Sequence, residues 1–252
     1  MANTSWQKVA PWYEKTVGQS GHYYHQHLVL PGAIRLLDLK SDSSVLDLAC
    51  GQGVLGRLIK PNLEYFGIDL APSLIKFAQQ NDRSPKHHYL VGDTEKALPL
   101  TQTDFSHAAI ILAIQNLVHP ELALKNAARH LSPSGRLLLV MNHPAFRIPR
   151  QSAWEIDPQN KLQYRRVNRY LSPLKIPINA RPSRGVQGPI TWSFHHPLQD
   201  YFKFLMGAGF VVTNLEEWAS DKESEGRAAK MENRGRAEFP LFLALLAEKR
   251  PS

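Results

Sequence analysis

The chain lacks the features that mark secreted and membrane-spanning proteins. Cys50 is its single cysteine, so no disulfide bond can form within its 252 residues. The longest apolar runs, residues 108–114 and 241–247, are far shorter than the roughly 20 residues of a membrane-spanning helix. The first fifteen residues contain no apolar core of a signal peptide. We therefore expect a globular cytoplasmic protein that makes no membrane contact.

Positive charge is concentrated in one segment. Residues 141–200 hold nine Lys/Arg and three Asp/Glu, which accounts for +6 of the net charge of +8. Residues 1–140 contribute +2, and residues 201–252 contribute zero. This excess has two open interpretations, a solvated basic surface or a site for an anionic partner.

Short apolar strands alternate with helical segments between residues 45 and 141. The pattern predicts strands over residues 45–48, 65–68, 88–91, 105–114 and 136–141, and helices from residue 54, over 72–80 and over 121–130. Such alternation, with near-continuous apolar strands, predicts a parallel sheet covered on both faces. Right-handed crossovers then give a doubly wound α/β fold.

The flanking segments follow different patterns. Pro31 and Gly32 are expected to break residues 22–38 into two helices. A helix over 197–208 precedes two further strands, over 210–215 and 240–247, that a charged loop connects. Residues 143–196 are rich in proline, arginine and aromatic residues and have no clean periodicity. We expect them to form an insertion after the fifth strand of a single domain spanning residues 1–252.

Three aspartates lie at or near the carboxyl ends of successive strands. In an open parallel sheet, ligands bind beyond these ends. Residues 51–56 have the Gly-x-Gly-x-x-Gly spacing of a dinucleotide loop, but Asp47 precedes them, and Asp69 and Asp93 follow. Three carboxylates would repel a pyrophosphate, which disfavours a dehydrogenase, and would suit a nucleoside that carries positive charge. Each aspartate has the alternative role of a helix cap or turn residue.

The spacing of four segments matches a known family. They are VLDLACGQGVLG, YFGIDLAPSLIKFA, YLVGDTEKALPL and DFSHAAIILAIQNL. In order and spacing they resemble the cofactor motifs of class I S-adenosylmethionine-dependent methyltransferases, most of all the methyltransferase type 11 or UbiE-like branch. The resemblance implies a Rossmann-like sheet of seven strands with the last strand antiparallel. It also implies S-adenosylmethionine as cofactor and S-adenosylhomocysteine as product.

The resemblance assigns roles to individual residues. Asp47 would orient the glycine loop and hold the methionine ammonium, Asp69 would accept hydrogen bonds from both ribose hydroxyls, and Asp93 would accept one from the adenine amine. The cofactor-binding residues that it implies are Asp47, Ala49, Gly51, Gly53, Asp69, Leu70, Asp93, Thr94, Ala113 and Asn116.

Three segments are candidates for the acceptor side of the site. Residues 1–40 are expected to form a helical lid, with aromatic and histidine side chains at 21–31, although these histidines can equally face solvent. Their spacing matches no metal signature, so no metal is expected. The second segment follows the fourth strand. The third segment follows the fifth strand and contains the start of the predicted substrate cap, residues 143–196. Structural cover or a dimer surface is the alternative for that cap.

Methyl transfer to a hydroxyl or amine requires a proton acceptor, for which His143 is the best candidate. The candidate catalytic residues are His143, Asn116, His119 and Tyr24. The candidate substrate-binding residues are His25, Gln115, Asn142, Arg147, Arg150 and Trp154. We expect in-line methyl transfer to O, N or C of an anionic small molecule, by a monomer or homodimer. Methylation of RNA or protein docked on the basic segment is the alternative, and a non-catalytic cofactor-binding protein is a third possibility.

Overall fold

The fold was analysed in a computed structural model, which describes residues 6–8, 21–179 and 190–250. The strands in this part of the chain are β1 (Ser44–Leu48), β2 (Glu64–Asp69), β3 (His87–Val91), β4 (Phe105–Ile111), β5 (Leu131–Asn142), β6 (Ser152–Asp157), β7 (Leu162–Val167), β8 (Leu174–Asn179), β9 (Ile190–His195), β10 (Phe210–Trp218) and β11 (Phe242–Lys249). The α-helices are α1 (Leu30–Leu37), α2 (Pro72–Asn81), α3 (Pro120–His130), α4 (Leu198–Gly207) and α5 (Ala229–Glu238).

Seven strands form the central sheet in the order β10-β11-β5-β4-β1-β2-β3. The last strand, β11, is antiparallel to both neighbours, β5 and β10, whereas the other pairs are parallel. The expected doubly wound fold is therefore confirmed. None of the helices in the described ranges combines the length and apolar character that a membrane crossing requires.

Helices bury both faces of the sheet. Leu124 of α3 and Leu205 of α4 belong to the core on one face, and Leu37 of α1 and Ile75 of α2 belong to the core on the other. All four side chains are almost completely excluded from solvent. Since the central strands contact apolar side chains on both sides, they are apolar at nearly every position rather than at alternate ones.

The segment after β1 differs from the prediction. An α-helix was expected from residue 54, but the chain forms turns and a short 3₁₀-helix, Gly56–Leu58. Pro61 supplies no backbone N–H and disfavours helical geometry at the residue before it, which leaves too few residues for a full helix. Gly56 is also closely packed, because an added Cβ would lie 2.3 Å from the Tyr89 hydroxyl.

Pro31 and Gly32 do not break the N-terminal helix, so that prediction was wrong. A π-helical turn, His25–Val29, continues directly into α1. Pro31 lies in the first turn of α1, where a missing N–H is tolerated. Gly32 provides room for Trp218, whose ring would lie 2.6 Å from a Cβ at this position. Both residues serve the continuous helix and its packing.

Residues outside the central sheet form two antiparallel hairpins. β6 pairs with β7, and β8 pairs with β9, between the end of β5 and the start of α4. The charged loop expected before the last strand contains α5, a helix that was not predicted. Gly235 of α5 packs against Trp154 of β6, with 3.3 Å between the Trp154 ring and the position of an added Cβ. Residues 180–189 of the predicted cap and residues 1–5 and 9–20 of the predicted lid lie outside the described residues.

Candidate functional site

A cavity of about 420 Å³ opens at the carboxyl ends of β1, β2, β4 and β5. This is the edge of an open α/β sheet where ligands bind. The predicted cofactor-binding residues that line it are Asp47, Ala49, Gly51, Asp69, Leu70, Asp93, Thr94, Ala113 and Asn116. Gly53 lies behind the lining, where it packs against Tyr89. The short strands therefore bring together nine of the ten residues predicted for the cofactor.

Asp69 connects the end of β2 to the glycine loop. Its Oδ2 accepts a hydrogen bond from the Gly51 N–H at 2.9 Å, and its Oδ1 accepts one from the Ala71 N–H at 2.8 Å. Burial raises the pKa of this carboxyl, although backbone N–H groups oppose the shift. Each carboxylate oxygen has a further lone pair, so the group can accept two more hydrogen bonds from a ligand in the cavity.

The loop after β1 has an unusual backbone conformation. Ala49, Gly51 and Gly53 all have left-handed φ angles, of 57°, 57° and 74°. Glycine adopts this region freely, whereas alanine does so at a cost of about 1 kcal/mol. Such strain is typical of functional loops held in place by their surroundings. At Gly53 a side chain is excluded as well, since a Cβ would lie 2.7 Å from the Tyr89 ring.

Asp47 is buried at the base of the cavity with half of its carboxylate unpaired. Oδ2 accepts a hydrogen bond from the Tyr65 hydroxyl at 2.6 Å, while Oδ1 has no partner among the described residues. Burial raises the pKa of Asp47 to about 7. The Tyr65 hydrogen bond opposes this shift, and the charge of Asp69 adds to it. An unpaired, buried carboxylate oxygen is costly without a ligand and favours a cationic one.

Asp93 combines a structural role with a place in the lining. Its Oδ1 accepts a hydrogen bond from the Glu95 N–H at 3.0 Å, and its Oδ2 lies 3.2 Å from the Lys96 ammonium. Thr94 is held from behind by Asn126, whose amide donates to the Thr94 carbonyl at 2.8 Å. The turn interpretation of Asp93 is therefore correct, and the carboxylate also faces the cavity.

The opposite wall of the cavity carries positive charge. The Arg147 guanidinium lies 4.8 Å from the centre of the Phe242 ring and donates one long hydrogen bond, 3.4 Å, to the Leu241 carbonyl. Burial lowers its pKa, and no carboxylate of the described residues lies within ion-pair distance. Tyr24 contacts the same Phe242 ring edge-on at 5.9 Å. Asn142, paired with Phe242 in the sheet, completes this wall.

Two further polar side chains lining the cavity are incompletely paired. Gln115 donates from Nε2 to the Leu112 carbonyl at 2.7 Å, and its buried Oε1 has no partner in the described ranges. His25 is 7% exposed, and its Nδ1 is likewise without a partner there. Burial, followed by repulsion from His22, lowers the pKa of His25 to about 3. The cavity wall thus offers a neutral imidazole and an amide oxygen.

His143, the predicted proton acceptor, is not in the cavity lining. It is buried, its Nε2 donates to Glu217 Oε1 at 2.7 Å, and its Nδ1 accepts from the Ala145 and Phe146 N–H groups at 3.2 and 3.3 Å. Burial lowers its pKa. Because neither ring nitrogen has a free lone pair, the structure corrects this assignment and gives His143 a role in connecting β5 to β10.

Three other candidates also lie outside the lining. His119 is exposed, and its ring is 3.4 Å from Glu121. Arg150 is exposed and has a left-handed φ of 62°. Trp154 packs against Phe239, with 5.5 Å between ring centres, rather than toward the cavity. Tyr24, Asn116, Gln115, Asn142, Arg147 and His25 do line the cavity, as expected.

Several lining residues were not predicted from the sequence. Phe242 had a detectable signal, since it begins the last strand, but only its pairing with Asn142 places it at the site. Ile178 and Ser193 come from the β8–β9 hairpin, and no local pattern identifies them. Cys50, also in the lining, has a pKa that burial raises well above its ordinary value, which makes it an unreactive thiol.

Comparison with known proteins gives consistent matches. A family model described as a methyltransferase domain matches residues 46–139. The 2-phytyl-1,4-naphtoquinone methyltransferase of Thermosynechococcus vestitus is 31% identical over 144 residues, which cover 55% of this chain and 63% of that protein. The demethylmenaquinone methyltransferase of Staphylococcus carnosus is 22% identical over 201 residues, which cover 77% of this chain and 79% of that protein.

A solved structure shares the fold. The S-adenosylmethionine-dependent methyltransferase from Mesorhizobium loti superposes with a TM-score of 0.69 at 22% identity, covering 88% of this chain and 99% of its own. The agreement includes the regions on both sides of the family match.

Proposed function

We propose that this chain, whose residues 46–139 match a methyltransferase domain family and resemble quinone methyltransferases, transfers a methyl group from S-adenosylmethionine to an anionic small molecule. The observation that carries the proposal is the polarity of the cavity. Carboxylates of Asp47, Asp69 and Asp93 lie at one side, and the guanidinium of Arg147, which has no carboxylate partner among the described residues, lies at the other. A cationic cofactor and an anionic acceptor complement these two sides.

The residues present fit the cofactor. The unpartnered Oδ1 of Asp47 would accept from the methionine ammonium, and the Asp69 carboxylate would accept from the ribose hydroxyls. When bound, the sulfonium supplies a methyl group that is activated for displacement. We propose that Ala49, Gly51, Leu70, Ala113 and Asn116 provide the remaining backbone and side-chain surface.

The main contributions of the chain to the reaction are to position the two reactants and to exclude water. Methyl transfer is an in-line displacement, so its rate depends on the alignment of the nucleophile with the methyl–sulfur bond. The aromatic wall of Tyr24 and Phe242 restricts the acceptor, and Arg147 fixes its anionic group. Tyr24 itself is held by a 3.1 Å hydrogen bond between its hydroxyl and Ser220 Oγ.

The acceptor side favours an aromatic anion. Two relatives are named as methyltransferases of naphthoquinone and demethylmenaquinone, and the ionised ring of a reduced quinone is both aromatic and anionic. Aromatic acids belong to the same chemical class. We propose that the β8–β9 hairpin caps the acceptor, because Ile178 and Ser193 line the cavity, and that the helix before β1 acts as the lid through Tyr24 and His25.

The macromolecular alternative has less support. Arg165 donates to the Phe146 carbonyl at 2.7 Å and to Ser152 Oγ at 3.0 Å, and Arg166 pairs with Glu155. These arginines are engaged within the chain rather than presented to a polyanion. We therefore favour a metabolite, with the cytoplasm as compartment and a monomer or homodimer as the assembly.

Calorimetry and a transfer assay test the function together. S-adenosylmethionine should bind, NAD should not, and labelled methyl should reach at least one acid in a panel of hydroxybenzoates, aminobenzoates and reduced quinones. Uncharged alcohol analogues serve as controls. Binding of NAD without S-adenosylmethionine would refute the proposal. RNA binding that persists from low to moderate salt, with methyl incorporation into RNA, would favour the macromolecular alternative.

The pKa of Asp47 predicts a pH-dependent affinity for the cofactor. The pKa of Asp47, about 7, lies above the ordinary value of 3.8. Below pH 7 the carboxyl of the empty site is therefore protonated, and a cationic ligand displaces this proton when it binds. We expect the dissociation constant to rise by up to about tenfold per pH unit below about pH 7 and to be constant above it. Calorimetry in buffers of different ionisation enthalpy should show proton release at pH 6 and almost none at pH 8.

The Asp47→Asn variant is the control for this linkage. Its affinity should be weak and independent of pH between 6 and 8. The same raised pKa gives Asp47 a contribution to folding that is fully present below its ordinary value of 3.8 and is lost as the pH rises through about 7. A wild-type dissociation constant that does not change between pH 6 and 8 would contradict the prediction.

A further inference from the structure

We infer that His25 is the proton acceptor of the reaction and that the substrate's nucleophile is a hydroxyl or amine in a molecule that also carries an anionic group. This inference rests on the proposed methyl transfer. It replaces His143, whose two ring nitrogens are occupied.

The environment of His25 is that of a reactive rather than a structural histidine. It lies in the π-helical turn before α1, lines the cavity, and is 7% exposed. No hydrogen bond joins its ring to another described residue, and its Nδ1 is buried and unpartnered. By comparison, the buried His130 ring bonds the Gln102 carbonyl at 2.6 Å, and the His195 ring bonds the Tyr170 carbonyl at 2.7 Å. Buried polar groups that lack partners in a native fold call for a ligand or a chemical role.

The unpaired groups of the wall define a complementary molecule. Among the described residues, the His25 ring and the Gln115 Oε1 have no hydrogen-bond donor, and Arg147 has no carboxylate partner. Since the Leu112 carbonyl fixes the Gln115 amide through Nε2, the oxygen is the atom left for the ligand. The acceptor therefore offers one or more O–H or N–H donors together with a negative group.

A metal is a weaker explanation for this histidine. The rings of His22 and His25 are 4.1 Å apart, but in the described part of the chain no group of three or more His, Cys, Asp or Glu residues is arranged to hold a metal ion. Both rings also have lowered pKa values, through burial first. Neutral imidazoles at this wall would not repel a cationic cofactor bound in the same cavity.

The proposed step balances in atoms and charge. A lone pair on the acceptor oxygen or nitrogen forms the bond to the methyl carbon, and the methyl–sulfur bond breaks with its electron pair remaining on sulfur. The O–H or N–H bond then breaks, and the proton moves to the unprotonated ring nitrogen of His25. One positive charge disappears from sulfur and one appears on the imidazole, which later loses its proton to solvent.

A weakly basic imidazole is sufficient for this step. The hydroxyl proton becomes strongly acidic only as the bond from oxygen to methyl forms, because a protonated ether is a far stronger acid than an alcohol. Burial, which disfavours imidazolium in the empty cavity, is then offset by the anionic group of the acceptor. Removal of a general base typically lowers the rate about 100-fold to 10,000-fold.

Substitution of His25 tests the inference against turnover. His25→Asn and His25→Gln keep hydrogen-bonding capacity but cannot accept a proton, so kcat for a hydroxybenzoate that the wild type methylates should fall about 100-fold or more. The affinity for S-adenosylmethionine should stay within about threefold. His27→Asn is the matched control, because His27 lies in the same turn, is exposed, and stacks on Tyr23 at 4.3 Å. It should retain wild-type rates.

A second measurement does not depend on turnover. With S-adenosylhomocysteine present, ¹⁵N resonances of the His25 ring should shift on addition of the hydroxybenzoate but not of benzoate, which lacks the donor. Variants of His25 with kcat within threefold of wild type, or binding of the hydroxybenzoate without a shift, would overturn the role of His25 and leave methyl transfer intact. Cofactor binding with no acid of the panel bound would overturn both the acceptor class and this inference.

Discussion

The Asp69→Asn variant is expected to bind S-adenosylmethionine about 100-fold more weakly than the wild type. Both oxygens of Asp69 accept backbone hydrogen bonds, from Gly51 and Ala71. An amide must direct its NH₂ group at one of these N–H donors, which displaces the glycine loop. It also removes the charge that would strengthen the two proposed hydrogen bonds to ribose, each expected to contribute about 1.5–3 kcal/mol. Isothermal titration calorimetry measures the change.

A surface carboxylate provides the control for Asp69. Asp104 is exposed and lies just before β4, at the opposite end of the sheet from the cavity. Asp104→Asn should leave the dissociation constant within a factor of two. If Asp69→Asn folds with an unchanged melting temperature and binds the cofactor as tightly as the wild type, Asp69 is only a turn residue, and the assignment of the ribose site is wrong.

The Arg147→Met variant is expected to lose the acceptor while gaining stability. Methionine preserves the apolar stem against Phe242 but removes a charge that has no carboxylate partner in the described residues. Truncating one member of a buried charge pair costs about 2–5 kcal/mol of binding, so the KM for an aromatic acid should rise about 30-fold or more. Folding no longer desolvates an unpaired guanidinium, so the free energy of unfolding should rise by about 1–2 kcal/mol.

Arg166→Met is the matched control for Arg147. Arg166 is a surface arginine of the same basic segment and pairs with Glu155. Its replacement should change neither the KM nor the melting temperature appreciably, because exposed ion pairs contribute little. Cofactor affinity should be unchanged in both variants. A lower stability for Arg147→Met, with normal KM, would mean that the arginine supports the fold rather than the acceptor.

The clustering of the proposed cofactor-binding residues at one cavity was predictable because it depends on local sequence. Asp47 is the penultimate residue of β1 and Asp69 is the last residue of β2, and all parallel strands of one sheet end at the same edge. A short sequence window therefore contains the information that places them together. The central strands were predictable for the same reason, since β1 and β4 are compact, largely apolar runs.

The wall proposed to bind the acceptor was less predictable because it depends on contacts between residues distant in sequence. His143 emerges at the correct edge, but Glu217, 74 residues later, turns its ring away from the cavity. Phe242 becomes part of the wall only through its antiparallel pairing with Asn142. Local rules also failed at Pro31, where the sequence signals a helix break and the chain accommodates the missing donor after a π-helical turn.

Because His25–Val29 is a π-helical turn, the number of residues in this turn determines which side chains face the cavity. Such a turn accommodates one residue more than the regular helix, and each residue advances the helix by about 100°. Deletion of the exposed Gln26 should restore regular winding and leave α1 in place, and it should rotate residues 23–25 about the helix axis by about that angle. Tyr24 and His25 would then face other surroundings with their identities unchanged. The one additional residue in this turn therefore determines which side chains the helix presents to the cavity.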